Sequence, residues 1–337
     1  MKTRAAVLYE INKPLMIEEV EIPKLKRGQV LVKILATGVC RAQYNETIGL
    51  KGPDKFLPHL LGHEASAVVE DIGEGVKKVK IGDYVVASWI KGKGIEAGAT
   101  QYKLGKKIIN AGSITTFSEY SVISENRLNK ISKQVPNGIA SILGCAVTTG
   151  IGILRHTLAA KPGKSLAIFG IGGIGSSIIV GAKLIGLNPI IAVDISKDKL
   201  EYAKKLGATQ TLLFNTAREL LTNIDYAVEA SGSKAAMEKA FEVINDNGTI
   251  VIAGNIRKGE KICIIPFDLI KGKRIIGTWG GETKPDEDIP YYATEYLSGR
   301  LNLNKLITQK LKLTQVNEGL KLMEENRVLG RMIIEFN

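Results

Sequence analysis

Two sets of residues in this 337-residue chain have the types and spacing to do chemistry. One is the glycine turn Gly170-Ile-Gly172-Gly-Ile-Gly175, which follows the apolar run Leu166–Phe169 and opens a helix-like segment. A second apolar run ends in a carboxylate, Asp194, about twenty residues on, completing the strand, turn, helix and acid that give G-x-G-x-x-G its meaning. Gly170 permits the tight turn, Gly172 lets the backbone approach a pyrophosphate, and Gly175 lets helix and strand pack closely. The helix N-terminus offers the anion free N–H groups and the positive end of its dipole. Asp194 is placed to accept hydrogen bonds from an adenosine ribose and to repel a 2′-phosphate, which favours NAD over NADP.

The second set lies earlier and is spread more widely: Cys40 in Gly38-Val-Cys-Arg41, His63 in Leu61-Gly-His-Glu64, and Cys145 in Leu143-Gly-Cys-Ala146. Two thiolates and an imidazole suit Zn²⁺, and three protein ligands leave a fourth position open for water or substrate. Zinc held that way lowers the pKa of a bound alcohol or polarises a bound carbonyl. Glu64, beside His63, is placed to complete the tetrahedron or to tune the site from behind. Spacing alone leaves the alternatives open: buried cysteines are common core filler, and His63 is also readable as a satisfied loop histidine.

The elements that must position these residues change character along the chain. As far as about Thr149, short β-like runs (Ala5–Tyr9, Met16–Val20, Val30–Ala36, Ser66–Ile72, Tyr84–Ser88, Phe117–Ile123) alternate with turns such as Gly73-Glu-Gly75 and Ile81-Gly-Asp83. That pattern predicts a compact, barrel-like β domain. From about Gly150 strands and helices alternate: strands at Leu166–Phe169, Ile190–Asp194, Gln210–Phe214, Asp225–Ser231, Thr249–Gly254 and Arg274–Trp279, with helices over Lys197–Leu206 and Lys234–Ile244. Six strands in that alternation predict a complete doubly wound parallel sheet, an α/β architecture. After Trp279 come a polar, proline-containing stretch, a helix over Val316–Glu325 and a last apolar run, Met332–Phe336, that can return to the first domain.

Bulk properties exclude several classes. The formal charge is +12, but the lysines are dispersed, aromatics are few, and no nucleic-acid motif is present. The excess reads as solvated surface with a share in attracting an anionic ligand, and no nucleic-acid partner is expected. No apolar run reaches a membrane span and the N-terminal stretch has no signal core, so a cytoplasmic location without membrane association is expected. Three cysteines make no disulfide framework.

End to end, the chain resembles the zinc-dependent medium-chain dehydrogenases of the alcohol, sorbitol and threonine dehydrogenase type. The resemblance is carried by GVCR, GHE, Gly82-Asp83, Thr116–Tyr120 (TFSEY), GCAVTTG, GIGGIG, VDISKDK and the late GRMIIEF. It implies a GroES-like β-barrel catalytic domain (1–148, completed by 280–337) and a Rossmann NAD-binding domain (149–279), with catalytic zinc in the cleft between them. By this match Cys40, His63 and Cys145 are zinc ligands and Glu64 the nearby carboxylate. Thr149 and Ile174 stand on the nicotinamide side, Lys199 beside the adenosine ribose with Asp194, and Arg331 near the pyrophosphate, which Arg41 also reaches. Family members are usually homodimers or homotetramers.

Departures from the family pattern carry as much information. Where many members hold a structural zinc on a four-cysteine lobe, this chain reads SWIKGKGIEAGATQYKLGKK, without a cysteine, so one zinc per subunit is expected. Cys263, in the apolar run Ile262–Ile265, reads as strand filler. Ala42 stands where the family usually has the Ser or Thr that relays the alcohol proton, Gln43 where an acid commonly orients the zinc histidine, and Asn45 where some members end the relay in a histidine. Water, Glu64, Tyr44 or a substrate hydroxyl is left to move the proton, and general acid–base help of that kind is worth about 10²–10⁴-fold in rate. Trp89 opposite the small Ala111-Gly112 suggests room for a secondary alcohol, polyol or sugar-derived substrate, with Trp89 as core the equal alternative.

The expected activity is NAD-linked, zinc-dependent oxidoreduction between an alcohol and its carbonyl. Two rival readings compete with it: a zinc-free quinone or enoyl reductase of the same superfamily, opposed by Asp194 and the ligand triad, and a nucleotide-binding protein that has lost turnover, suggested by Ala42 and Gln43 but opposed by the intact ligand set.

Overall fold

Turn residues set the strand lengths in the first part of the chain, and burial sets their faces. The computed structural model describes residues 1–50, 52–257 and 259–336, and chain packing divides it into two units: 1–145 with 284–299 and 307–337, and 146–283 with 300–306.

In the first unit, strands Lys2–Leu8, Met16–Glu21, Thr100–Leu104, Lys107–Ala111 and His59–Leu60 close a barrel. A larger sheet is built around the eleven-residue strand Gln29–Val39, which pairs antiparallel with Glu64–Ile72, Tyr120–Ser124 and Arg331–Glu335. Val30, Val32 and Ile34 pack there against Ala65, Ala67, Val85, Ala87 and Ile123, all essentially out of solvent. The sequence places this central strand at Val30–Ala36, yet it runs on to Val39, carried by the late strand whose Met332 lies opposite Val39. Cys40 therefore sits at a strand end.

Two further differences have simple causes. The hairpin Thr100–Leu104/Lys107–Ala111, absent from the sequence reading, is short and half polar, with Gly105 at its turn. The stretch after Trp279, read as polar and proline-containing with no element assigned, contains the helix Pro285–Leu297: Pro285 occupies the first turn, where its missing N–H costs nothing, and Asp286, Glu287 and Asp288 suit the positive helix end.

The second unit carries six parallel strands in the order Gln210–Leu213, Ile190–Asp194, Leu166–Phe169, Ile224–Glu229, Ile244–Ile252 and Arg274–Gly277. The chain order reverses beside Leu166–Phe169, and in open α/β sheets ligands bind outside the carboxyl ends of the strands at that switch. Ala167, Phe169, Ile191, Val193, Ala227, Phe241 and Ile250 form its core. The expectation for Cys263 is corrected: the residue is exposed, lies outside any strand, and its backbone N–H donates to Glu238. Among the described residues, no helix is long and apolar enough to cross a membrane.

Candidate active site

Three chain segments bring the first set of residues together within the first unit. Cys40 directly follows the central strand and caps the helix Arg41–Thr47. His63 directly precedes the strand Glu64–Ile72. Cys145 follows Gly144, whose carbonyl accepts a 2.7 Å hydrogen bond from the Ser88 hydroxyl. The ligand atoms of Cys40, His63 and Cys145 all lie within 4.8 Å of one another, and His63 Nε2 is 3.3 Å from Cys145 Sγ. Two sulfurs and one nitrogen at that spacing fit a tetrahedral zinc with its fourth position open. The Cys40 thiol is held well below the usual thiol range, chiefly by its hydrogen bond with Cys145 and then by the Arg331 charge and a hydrogen bond with His63, together outweighing burial. A thiolate is the form a metal requires.

Gln43 backs the histidine. Its Oε1 accepts the Cys40 backbone N–H at 2.9 Å, and its Nε2 contacts His63 Nδ1. The Trp89 ring stands edge-on to the His63 ring, 6.5 Å between centroids, so Trp89 flanks the ligand set rather than lying in the distant core. Ala111 does not join it: that side chain packs in the barrel core with Val7, Leu60, Tyr102 and Ile109, so the roomier-pocket argument loses one of its two walls. Ala42 and Asn45 share the helix with Gln43, and Asn45 is buried.

Glu64 is fully buried, and its carboxylate turns to the equally buried Arg331 guanidinium rather than to the three ligands. The pair crosses the central strand where there is no side chain: a Cβ on Gly38 would lie 2.1 Å from Glu64 Oε1 and 2.9 Å from the Arg331 guanidinium. Arg41 is exposed, contacts Asn326 and lies over the Tyr44 ring at 5.2 Å.

The second set of residues belongs to the second unit. Leu166–Phe169 leads into the glycine turn, and Gly172 caps the helix Gly173–Ile185. Gly175 has no alternative there, because a Cβ would lie 2.1 Å from the Gly170 carbonyl oxygen. Asp194 ends its strand and braces the turn: one carboxylate oxygen accepts the Ile171 N–H at 2.7 Å, the other the Ser196 N–H at 3.0 Å. Ile174 is partly exposed on the first helical turn, and Lys199 partly exposed on the helix Lys197–Leu206, which Ser196 caps. Thr149 is buried in the helix Ala146–Gly152.

The structure adds residues that the sequence reading passed over. Glu229 ends the strand next to the glycine turn, is buried, and accepts hydrogen bonds from the N–H groups of Ser231 and Gly232 at 2.7 and 2.8 Å. Burial pushes its carboxyl up against those donors. An acid closing the apolar run Ile224–Glu229 was the available signal. Separately, His59 donates from Nδ1 to the Leu60 carbonyl and pairs through Nε2 with Asp54 at 2.8 Å and Glu46 at 3.9 Å, fastening the loop before His59–Leu60.

Known proteins resemble the chain over its whole length. A model of the alcohol dehydrogenase GroES-like domain matches residues 26–133, and one of the zinc-binding dehydrogenase domain matches residues 173–298. S-(hydroxymethyl)glutathione dehydrogenase of Synechocystis sp. is 31% identical over 99% of this chain and the full length of that relative. Among solved structures, an alcohol dehydrogenase zinc-binding domain protein from Burkholderia ambifaria superposes with a TM-score of 0.91 at 26% identity, over 100% of this chain and 99% of that one. Benzyl alcohol dehydrogenase from Acinetobacter calcoaceticus gives 0.88 at 26% identity over the whole of both chains.

Proposed function

Because the chain belongs to the zinc-dependent medium-chain dehydrogenase family, we propose that it is an NAD-linked alcohol dehydrogenase using one catalytic zinc per subunit. The observation that carries this reading is the convergence of Cys40, His63 and Cys145 within 4.8 Å. Zinc bound by those side chains supplies Lewis acidity to an alcohol or carbonyl oxygen, and NAD on the glycine turn supplies the hydride acceptor.

The protein's own residues do the rest. Cys40 and Cys145 offer thiolates, His63 an imidazole backed by Gln43, and Trp89 a wall beside them. Gly170, Gly172 and Gly175 leave the turn open for a pyrophosphate, and Asp194 faces the ribose while bracing Ile171. Thr149 and Ile174 are assigned to the nicotinamide side, Lys199 to the adenosine ribose, and Arg331 to the pyrophosphate with Glu64 holding its guanidinium. Ala42 has no proton to pass. Glu64 is engaged by Arg331, and the Tyr44 phenol is pushed up by burial and by Glu324, so neither is suited to relay the proton. Water or a substrate hydroxyl is the proposed carrier, which favours polyol or sugar-derived substrates alongside secondary alcohols.

A single zinc is supported by the loop after Tyr84–Ser88, which holds its shape through carboxylates instead of cysteines. Glu125 accepts the backbone N–H groups of Lys77, Lys78 and Ile95 at 2.6, 2.6 and 2.8 Å, and Glu96 pairs with Arg127 at 3.0 Å. A homodimer or homotetramer is supported by the edge strand Arg274–Gly277, flanked by exposed Ile265, Phe267, Ile270 and Trp279. The free cysteines fit a cytoplasmic setting. Elemental analysis paired with NAD⁺ reduction across primary, secondary and polyol substrates tests the reading. About one zinc per subunit with NADH formation is expected, and metal-replete protein without zinc refutes it.

A further inference from the structure

We propose that Gln43 is a positioning residue that makes the Cys40–His63–Cys145 set hold its metal loosely, because one amide oxygen must serve both a helix cap and a metal-facing histidine. The inference rests on the metal reading above. Gln43 is 1% exposed, so its hydrogen bonds must be satisfied within the protein. Cys40 is the N-cap of the helix Arg41–Thr47, and its backbone N–H, which can only donate, is 2.9 Å from Gln43 Oε1. That bond fixes the amide orientation and leaves the Gln43 NH₂ group, which can only donate, against His63 Nδ1. In this arrangement Nδ1 accepts, and the ring proton sits on Nε2, which faces Cys145 Sγ at 3.3 Å.

A metal bound through Nε2 needs the lone pair on that nitrogen, so the ring proton must move to Nδ1. Nδ1–H then meets the Gln43 NH₂ group, donor against donor. Flipping the amide satisfies His63 but turns the NH₂ group onto the Cys40 N–H. Either way one buried donor loses its acceptor when metal binds. A carboxylate in the same place accepts from both donors at once, one oxygen to each. The partner behind a metal-ligating histidine typically changes metal affinity about 10- to 100-fold.

The test compares the unaltered protein with Gln43→Glu, measuring zinc affinity by competition with a chromogenic chelator and NADH binding by fluorescence as a check on the second unit. We expect Gln43→Glu to bind zinc about 10- to 100-fold more tightly with NADH binding unchanged. Equal or weaker zinc binding in a variant that still binds NADH overturns the proposal while leaving the zinc site itself intact. Failure of both proteins to bind zinc overturns the metal reading and this inference with it. Should the variant not fold, ¹⁵N shifts of the His63 ring in unaltered protein decide. A proton on Nε2 without metal that moves to Nδ1 on zinc loading is expected, and a proton on Nδ1 in both states overturns the proposal.

Discussion

Replacing Arg331 by methionine isolates the most deeply buried charge pair near the ligand set. The Arg331 side chain is 4% exposed and that of Glu64 0%, so the substitution leaves a carboxylate with neither solvent nor counter-ion. Breaking a buried pair by removing one partner costs about 3–5 kcal/mol. A second route to the magnitude gives a similar figure. If the orphaned Glu64 takes up a proton at pH 7 against an ordinary glutamate value near 4.3, the cost is about 3.7 kcal/mol at roughly 1.36 kcal/mol per unit. That route also sets a pH signature: the penalty should shrink by about 2 kcal/mol between pH 7 and 5.5, because acid supplies the proton that the folded variant needs. The chain has two tryptophans, Trp89 in the first unit and the exposed Trp279 in the second, so denaturant unfolding read by Trp89 fluorescence in a Trp279→Phe background reports on the right unit. Adding Glu64→Leu to Arg331→Met should recover most of the loss. A single-variant penalty under about 1 kcal/mol, or one that does not change with pH, would refute the argument.

Gly175→Val should abolish NADH binding and destabilise the second unit, since even its Cβ meets the Gly170 carbonyl at 2.1 Å; fluorescence titration and thermal unfolding check both effects. The first unit should lose stability in acid. Burial pushes Glu125 up, but the N–H groups of Ile95, Lys78 and Lys77 more than offset it, so its carboxyl lies below the ordinary value of 4.5. A depressed carboxylate stabilises fully above its unfolded value and stops doing so as pH falls through its folded one. Acid titration of Trp89 fluorescence should therefore show a transition below pH about 4.5 that Glu125→Gln weakens. Chelation of zinc should remove turnover and leave NADH binding within about twofold of its starting value, because the glycine turn and the three ligands belong to different units.

Much of the second unit was legible because its signals are local. Strands Leu166–Phe169 and Ile190–Asp194 and the helix Lys197–Leu206 fall where the apolar runs and glycines place them. The ligand set is another matter. Its three members are more than a hundred residues apart in sequence from first to last, and only resemblance linked them before the strand ends brought them within 4.8 Å. What stayed hidden depends on side-chain direction. Glu64 was read as a neighbour of the metal, yet its direction depends on Arg331 and on the absence of a side chain at Gly38. Gln43 was read as a lost acid, and nothing in its spacing says that Cys40 N–H already occupies its oxygen. Cys263 and Ala111 show the same limit from the other side: composition cannot separate an exposed coil residue or a barrel-core residue from a strand filler or a pocket wall.

The strand Arg331–Glu335 lies between Gln29–Val39 and Ile307–Leu311, so a central position in the first unit's main sheet is filled by residues translated nearly 300 positions after one of their two neighbours. During synthesis the barrel strands emerge early, but the Ala36–Val39 end of the central strand must wait for the ribosome to traverse the entire nucleotide-binding unit. An unpaired strand end is a template for association with other chains. The same late segment delivers Arg331, so Glu64 has no counter-ion until that segment has been made. A chain stopped between Cys145 and Arg331 would therefore carry all three ligands while lacking both the strand that pairs with Ala36–Val39 and the counter-ion of Glu64.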